Sequence, residues 1–157
     1  MDVMDPDSID AGRGLERELT LMARHTALVS QWRMPDRALD RSAYLLLSRL
    51  EIGEPMTLRE LSEAFGLDVS TVNRQTAALV RQGLAERIVD AEGGTARRLR
   101  PTERGLAALR SDRDQNVEGV TSLVADWDDQ DRRDLVTLLR KLNEKIEERQ
   151  GLNWPRD

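Results

Sequence analysis

TLRELSEAFGLDVSTVNRQTAALVRQGLAER, residues 57–87, decides how the rest of this chain is read. Its apolar spacing gives two short helices joined by a tight turn, then a strand. Leu58, Leu61 and Phe65 anchor the first helix. Gly66 marks the turn, because a residue without Cβ enters the left-handed region at little cost. Asp68 or Ser70 caps the second helix, whose buried face takes Val69, Val72, Thr76 and Leu79 at three- and four-residue spacings. The opposite face shows Thr71, Arg74, Gln75, Ala78 and Gln82, with no acid between Val69 and Leu84. Such a face suits entry into a DNA groove, which needs base-edge donors, phosphate contacts and close approach together.

Working outward, Gly83 ends the second helix and residues 84–89 alternate as a strand: Leu84, Glu86 and Ile88 against Ala85, Arg87 and Val89. A turn at 90–95, softened by Gly93 and Gly94, returns the chain into a second strand over 96–100. A hairpin directly after the candidate reading helix makes the motif a winged helix-turn-helix. Upstream, a helix over 39–50 turns Ala43, Leu46, Leu47 and Leu50 inward with Tyr44 near its flank, and Met56–Thr57 forms a very short strand. Downstream, Pro101 or Thr102 opens a helix carrying Leu106, Leu109, Val117, Val120 and Val124, with Gly119 as a bend or close-contact point. An acidic turn at 128–131 starts a last helix to residue 149, where the amino-terminal dipole favours acids.

Two stretches carry more apolar surface than the motif itself can cover. Residues 15–33 form a helix with two stripes: Leu15, Leu19, Met22, Thr26 and Val29 on one, Leu21, His25, Leu28 and Trp32 on the other. Pro35 ends it. The last helix lines up Leu135, Leu138, Leu139, Leu142 and Ile146. Pairing of these helices between two copies is the expected solution. The fold class is therefore mainly α with a small β-hairpin, a winged helix-turn-helix with N- and C-terminal dimerisation helices. Its expected parts are a flexible tail at 1–14, an N-terminal dimerisation helix at 15–34, the winged domain at 35–101, C-terminal dimerisation helices at 102–149 and a tail at 150–157.

Composition narrows the function. Thirty-nine per cent apolar residues support a core, and 34% charged residues fit a soluble, largely helical chain of 157 residues. With five aromatics, stacking platforms for single-stranded nucleic acid are not expected. Cysteine is absent and one histidine is present, so neither thiol switching nor a His/Cys metal cluster is supported. No cofactor is expected. No Ser-His-Asp set or phosphate loop has workable spacing, and no enzyme is expected. Without a long apolar run or a signal peptide the chain reads as cytoplasmic, with no membrane partner. The net charge of −5 argues against indiscriminate nucleic-acid binding; residues 57–104 hold eight arginines against seven acids, a local +1 within an acidic body.

The ordered set LRELSEAFGLDVSTVNRQTAALVRQGLAER followed by LRPTERG resembles the MarR family of bacterial transcriptional regulators over residues 15–148. Leu58, Leu61 and Phe65 match that family's first motif helix, Ser70, Thr71 and Arg74 its reading positions, Gly83, Leu84 and Arg87 the strand entry, and Thr102 and Gly105 the helix after the wing. The resemblance implies a homodimer that binds a palindromic double-stranded DNA operator, acts as a repressor, and is released by a small aromatic or phenolic effector. Expected DNA contacts are Ser70, Thr71, Asn73, Arg74 and Gln75, with Arg97 and Arg98 from the wing. The wing departs from the family: where an Asp-Arg-Arg run is common, this chain has Gly93-Gly94-Thr95, so the usual minor-groove contact and its supporting Asp do not transfer, and Arg97, Arg98 or Arg100 is expected to reach a phosphate or the groove instead. Alternation sends Arg97 and Arg98 to opposite faces. Arg24, His25, Trp32 and Tyr44 are the expected effector residues. The rival reading is a protein-interaction module that keeps the fold with weak or lost DNA binding, motivated by the acidic balance and the altered wing.

Overall fold

The computed structural model describes residues 6–29, 37–89 and 97–156, with side chains from Ile9 to His25 in the first stretch. It forms two units, 1–37 and 38–157. The first holds α1 (Pro6–Val29). This helix begins well before the expected Leu15 and takes in most of the stretch expected as a tail. Proline is well placed as the first helical residue, where a missing N–H leaves no hydrogen bond unmade. Leu15, Leu19, Leu21 and Met22 are exposed on it. Trp32 and Pro35 lie outside the described residues.

The second unit runs α2 (Arg41–Glu51), β1 (Met56–Thr57), α3 (Leu58–Phe65), α4 (Val69–Arg81), β2 (Ala85–Val89), β3 (Arg97–Pro101), α5 (Glu103–Leu123) and α6 (Asp129–Gln150). Its strands form an antiparallel sheet in the order β1-β3-β2, with Leu99 opposite both Met56 and Arg87. Residues 90–96, including Gly93 and Gly94 at the expected wing tip, lie outside the described residues. The four inward positions expected on α2 are all buried. They pack with Leu61 of α3, Val72 and Leu79 of α4, Leu99 of β3 and Leu109 of α5 into one core. Each such leucine contributes roughly 1.5–3 kcal/mol through loss of contact with water.

Local chemistry fixes the joints of this core. Thr57 and Glu60 form a reciprocal capping box at the start of α3, the Thr57 hydroxyl receiving the Glu60 N–H at 3.2 Å and Glu60 receiving the Thr57 N–H at 2.7 Å. Gly66 closes α3 with φ 60°. After α4, Gly83 N–H donates to Val80 and Leu84 N–H to Leu79, a Schellman closure that turns the chain into the hairpin. Gly105 has a different reason: a Cβ there would stand 1.9 Å from the Leu84 carbonyl oxygen, so only glycine lets α5 lie this close to the strand entry. Gly119 has nothing within 4 Å of a would-be Cβ among the described residues of its own chain, and α5 runs through it.

A buried carboxylate, not singled out by the sequence reading, completes the body. Asp112 on α5 is 1% exposed and accepts the N–H groups of Ala38 (3.1 Å) and Leu39 (3.0 Å) just ahead of α2. The first half of α5 thus belongs to the winged core. Beyond it the surface changes character. Val117, Val120 and Leu123 are exposed, α6 has no buried residue, and Leu138 and Ile146 stand open to solvent.

Candidate nucleic-acid interface

The reading helix, α4, is oriented by its cap. Asp68 is the N-cap, and its carboxylate accepts the Thr71 N–H at 2.8 Å and the Thr71 hydroxyl at 2.7 Å. The Ser70 hydroxyl donates to the same carboxylate. These bonds, the Ser70 hydroxyl first, hold Asp68 well below the usual carboxylate range. Ser70 and Thr71 therefore spend their hydroxyl protons inside the cap. Thr71 Oγ1 still accepts, and takes Arg74 Nη2 at 3.2 Å. Asp68, Thr71 and Arg74 form a chain of bonds that sets the direction of the arginine.

Burial resolves the two faces of α4. Val72, Thr76 and Leu79 are buried as expected. Thr76 satisfies its own hydroxyl on the Val72 carbonyl at 2.9 Å. Val69 is instead 48% exposed, because as the first residue of the helix it sits at the lip of the turn rather than over the core. Outward, the most open positions are Ser70, Asn73, Arg74 and Arg81, with Thr71 and Gln75 half-buried beside them. Arg87, on β2, donates to Asn73 Oδ1 at 3.4 Å. Its exposure and its neighbour place it in the candidate surface, although it was read only as a strand-entry residue. The alternation of β2 was the available signal.

The wing arginines separate as their alternation requires. Arg97 is exposed at the wing end of β3, opposite Val89. Arg98 turns toward the root of the motif, donating to the Pro55 carbonyl at 3.0 Å and pairing with Glu60 at 3.0 Å. A guanidinium engaged in that way braces β3 against the start of α3. Arg100 pairs with Glu86 across the hairpin at 2.7 Å. The candidate surface thus joins Asn73 and Arg74 of α4 to Arg87 of β2, with Gln75 half-buried on α4 and Arg97 on the wing.

Known proteins sharing this chain's pattern agree on its kind. A model of the MarR family matches residues 39–94. The uncharacterized HTH-type transcriptional regulator YxaD of Bacillus subtilis (strain 168) is 33% identical over 129 residues, covering 82% of this chain and 90% of that protein. The chain belongs to the MarR family. YybA, an uncharacterized HTH-type transcriptional regulator of the same organism, is 24% identical over 131 residues, covering 83% of this chain and 87% of its own length. In fold, the MarR-family chain is similar to a MarR family protein from Bacillus stearothermophilus, with TM-score 0.77 at 19% identity over 92% of this chain and 99% of the other. It is a transcriptional regulator, of a family of DNA-binding proteins rather than enzymes.

The effector residues expected of this MarR-family chain are placed less fully. Arg24 and His25 are exposed on α1, and Trp32 lies outside the described residues. Tyr44 is half-buried on α2, and the Arg113 guanidinium of α5 grips Glu51 at the end of the same helix (Nη2 to Oε2, 2.6 Å). An open cleft of about 290 Å³ lies beside the turn, with Leu45, Leu46, Phe65 and Leu67 as apolar wall and Ser42 and Gln75 as polar contributors; Tyr44 does not line it. Among the described residues no group of three or more His, Cys, Asp or Glu is placed to hold a metal ion, and no helix is long and apolar enough to cross a membrane.

Proposed function

We propose that this regulator is a homodimer that sets its two α4 helices into adjacent major grooves of a palindromic duplex operator, about one helical turn apart. It represses by occluding a promoter and is released by a small aromatic or phenolic ligand. One observation carries the reading: the open edge of α4 presents Asn73 and Arg74 with Arg87 beside them, and no acid lies within the helix. An arginine is the commonest specific contact to guanine, and an asparagine amide suits adenine. Arg97 contacts phosphate from the wing, and Ser70 and Thr71 act through the cap. The dimer covers the exposed apolar residues of α1, α5 and α6, among them Leu15, Met22, Val120 and Leu138. Arg24, His25, Trp32 and Tyr44 remain the proposed effector residues, since apolar walls with a few polar groups suit an amphipathic aromatic ligand.

Mapping of binding sites across a genome with the purified protein, followed by titration of the leading duplex and a scrambled control, tests this reading. An inverted repeat preferred over unrelated duplex at all salt concentrations is the expected result. Arg74→Ala weakens operator binding roughly ten-fold or more and leaves thermal stability unchanged. Equal affinity of Arg74→Ala and the parent at matched salt would remove Arg74 from the interface. A loss of the same size on operator and scrambled DNA would reassign it to phosphate.

A further inference from the structure

The last residues of the described chain, expected as a tail, are built into the fold. Gly151 reverses the chain at the end of α6 with φ 64°, and Leu152 N–H closes on the Glu147 carbonyl at 3.0 Å. The reversal carries Leu152 over the turn of the motif, its two methyls each 3.7 Å from where a Cβ on Gly66 would stand. Trp154 then meets Phe65 edge-on, ring centres 5.4 Å apart and planes at 85°. Phe65 is the last residue of α3 and packs against the core. The segment finally hooks back. Trp154 N–H donates to Glu147 Oε2 at 3.3 Å, Arg156 Nη1 to the same oxygen at 2.9 Å, and Arg156 Nη2 to Oε1.

We propose that residues 152–156 are a strap fixing the turn between α3 and α4 to the last turn of α6, with Trp154 as a positioning residue for the reading helix. Phe65, Gly66 and Leu67 are the joint about which α4 would pivot relative to α3. The strap touches that joint at two points and is tied to α6 at Glu147. Because α6 has no buried residue of its own, its placement is set by whatever covers its apolar face. In the proposed dimer that cover is the second copy. A shift of α6 in the dimer is thereby passed to the turn and on to the tilt of α4. This last step rests on the function proposed above; the strap's hold on the turn does not.

Hydrogen exchange on the full chain, without DNA, tests that hold. The probes are the Gly66 and Leu67 amides, which donate to the Glu63 and Ser62 carbonyls. An edge-to-face aromatic pair is worth roughly a two- to twelve-fold change in an equilibrium. Trp154→Ala is expected to speed exchange at those two amides by roughly that factor while Leu46 and Leu47 in α2 stay protected. Trp154→Phe, which keeps a ring against Phe65, is expected to restore most of the protection. Unchanged exchange at the turn in Trp154→Ala, or acceleration spread evenly through the winged core, would overturn the proposal. Titration of operator DNA with the same variants then reads the transmission to α4: a matching loss of affinity in Trp154→Ala with rescue in Trp154→Phe supports it, and full affinity alongside a loosened turn overturns it. A parent protein with no DNA preference would sink the operator reading while leaving the exchange result intact.

Discussion

The winged body and the α6 helix are written in the same apolar rhythm and meet different fates. In α2, Ala43, Leu46, Leu47 and Leu50 are all buried by neighbours from the same chain. In α6, Leu135, Leu139 and Leu142 reach only half-burial, while Leu138 and Ile146 stay exposed. Helical periodicity reports which face seeks cover and is silent on what supplies it. In the body the cover is local in space: α3, α4, the sheet and the first half of α5 converge on α2. The α6 face has no equivalent among the described residues of its unit, and this is the surface assigned to a second copy.

The largest effect expected from this contrast separates the two kinds of leucine. Leu47→Ala empties a fully buried site and lowers unfolding free energy by about 2–5 kcal/mol. Leu138, 63% exposed, loses little as a monomer when cut to alanine, but its removal weakens self-association. Urea denaturation combined with sedimentation across a dilution series distinguishes them. Loss of monomer stability in Leu138→Ala equal to that in Leu47→Ala would show that α6 is packed by its own chain and would break the comparison.

Asp112 sharpens the same division, because it marks how far along α5 the body extends. Replacing it with alanine leaves the part-buried Ala38 amide and the buried Leu39 amide without their acceptor, at a cost of about 1–3 kcal/mol. Asp114, exposed on the same helix, costs nothing comparable when replaced. Chemical denaturation of the two variants is the check. Equal stability of the two would mean that water replaces the carboxylate and that the body ends before residue 112.

What was legible in the sequence follows the range of each interaction. The box at Thr57 and Glu60, the left-handed turn at Gly66 and the closure at Gly83 involve residues within a few positions, so their chemistry lies in adjacent letters. The family followed from the ordered set of such signals. Alternation separated Arg97 from Arg98 but not the Arg98 partner, because Glu60 lies 38 residues away. Asp112 was harder still. It occupies the position three after Leu109, on the buried stripe of α5, but its partners are 74 and 73 residues upstream. A lone polar residue on an apolar stripe was the one available signal. Trp154 had none, since no periodicity surrounds it, and its contact with Phe65 exists only once α6 has been placed.

The smallest effect concerns charge, and here too the body and α6 differ. Glu60 is held below the ordinary carboxylate range, first by the Thr57 N–H, with partial burial opposing and the Thr57 hydroxyl and Arg98 assisting. A folded-state value below the unfolded one means that Glu60 stabilises the protein above its unfolded value near 4.5, and that this contribution disappears as pH falls through the lower folded value. The Arg98 and Glu60 side chains are 28% and 44% exposed, so solvent screening keeps the pair's contribution under about 1 kcal/mol. Glu60→Gln is therefore expected to be slightly less stable at pH 7 and to lose less on acidification from about pH 5 to pH 3. The surface pairs of α6, such as Lys145 with Glu148 at 61% and 68% exposure, lie three residues apart and are screened on all sides. Glu148→Gln should change stability at pH 7 by less than Glu60→Gln does. An equal loss of stability in both variants would mean that the whole chain's charge, and not the brace at the root of the wing, sets the difference.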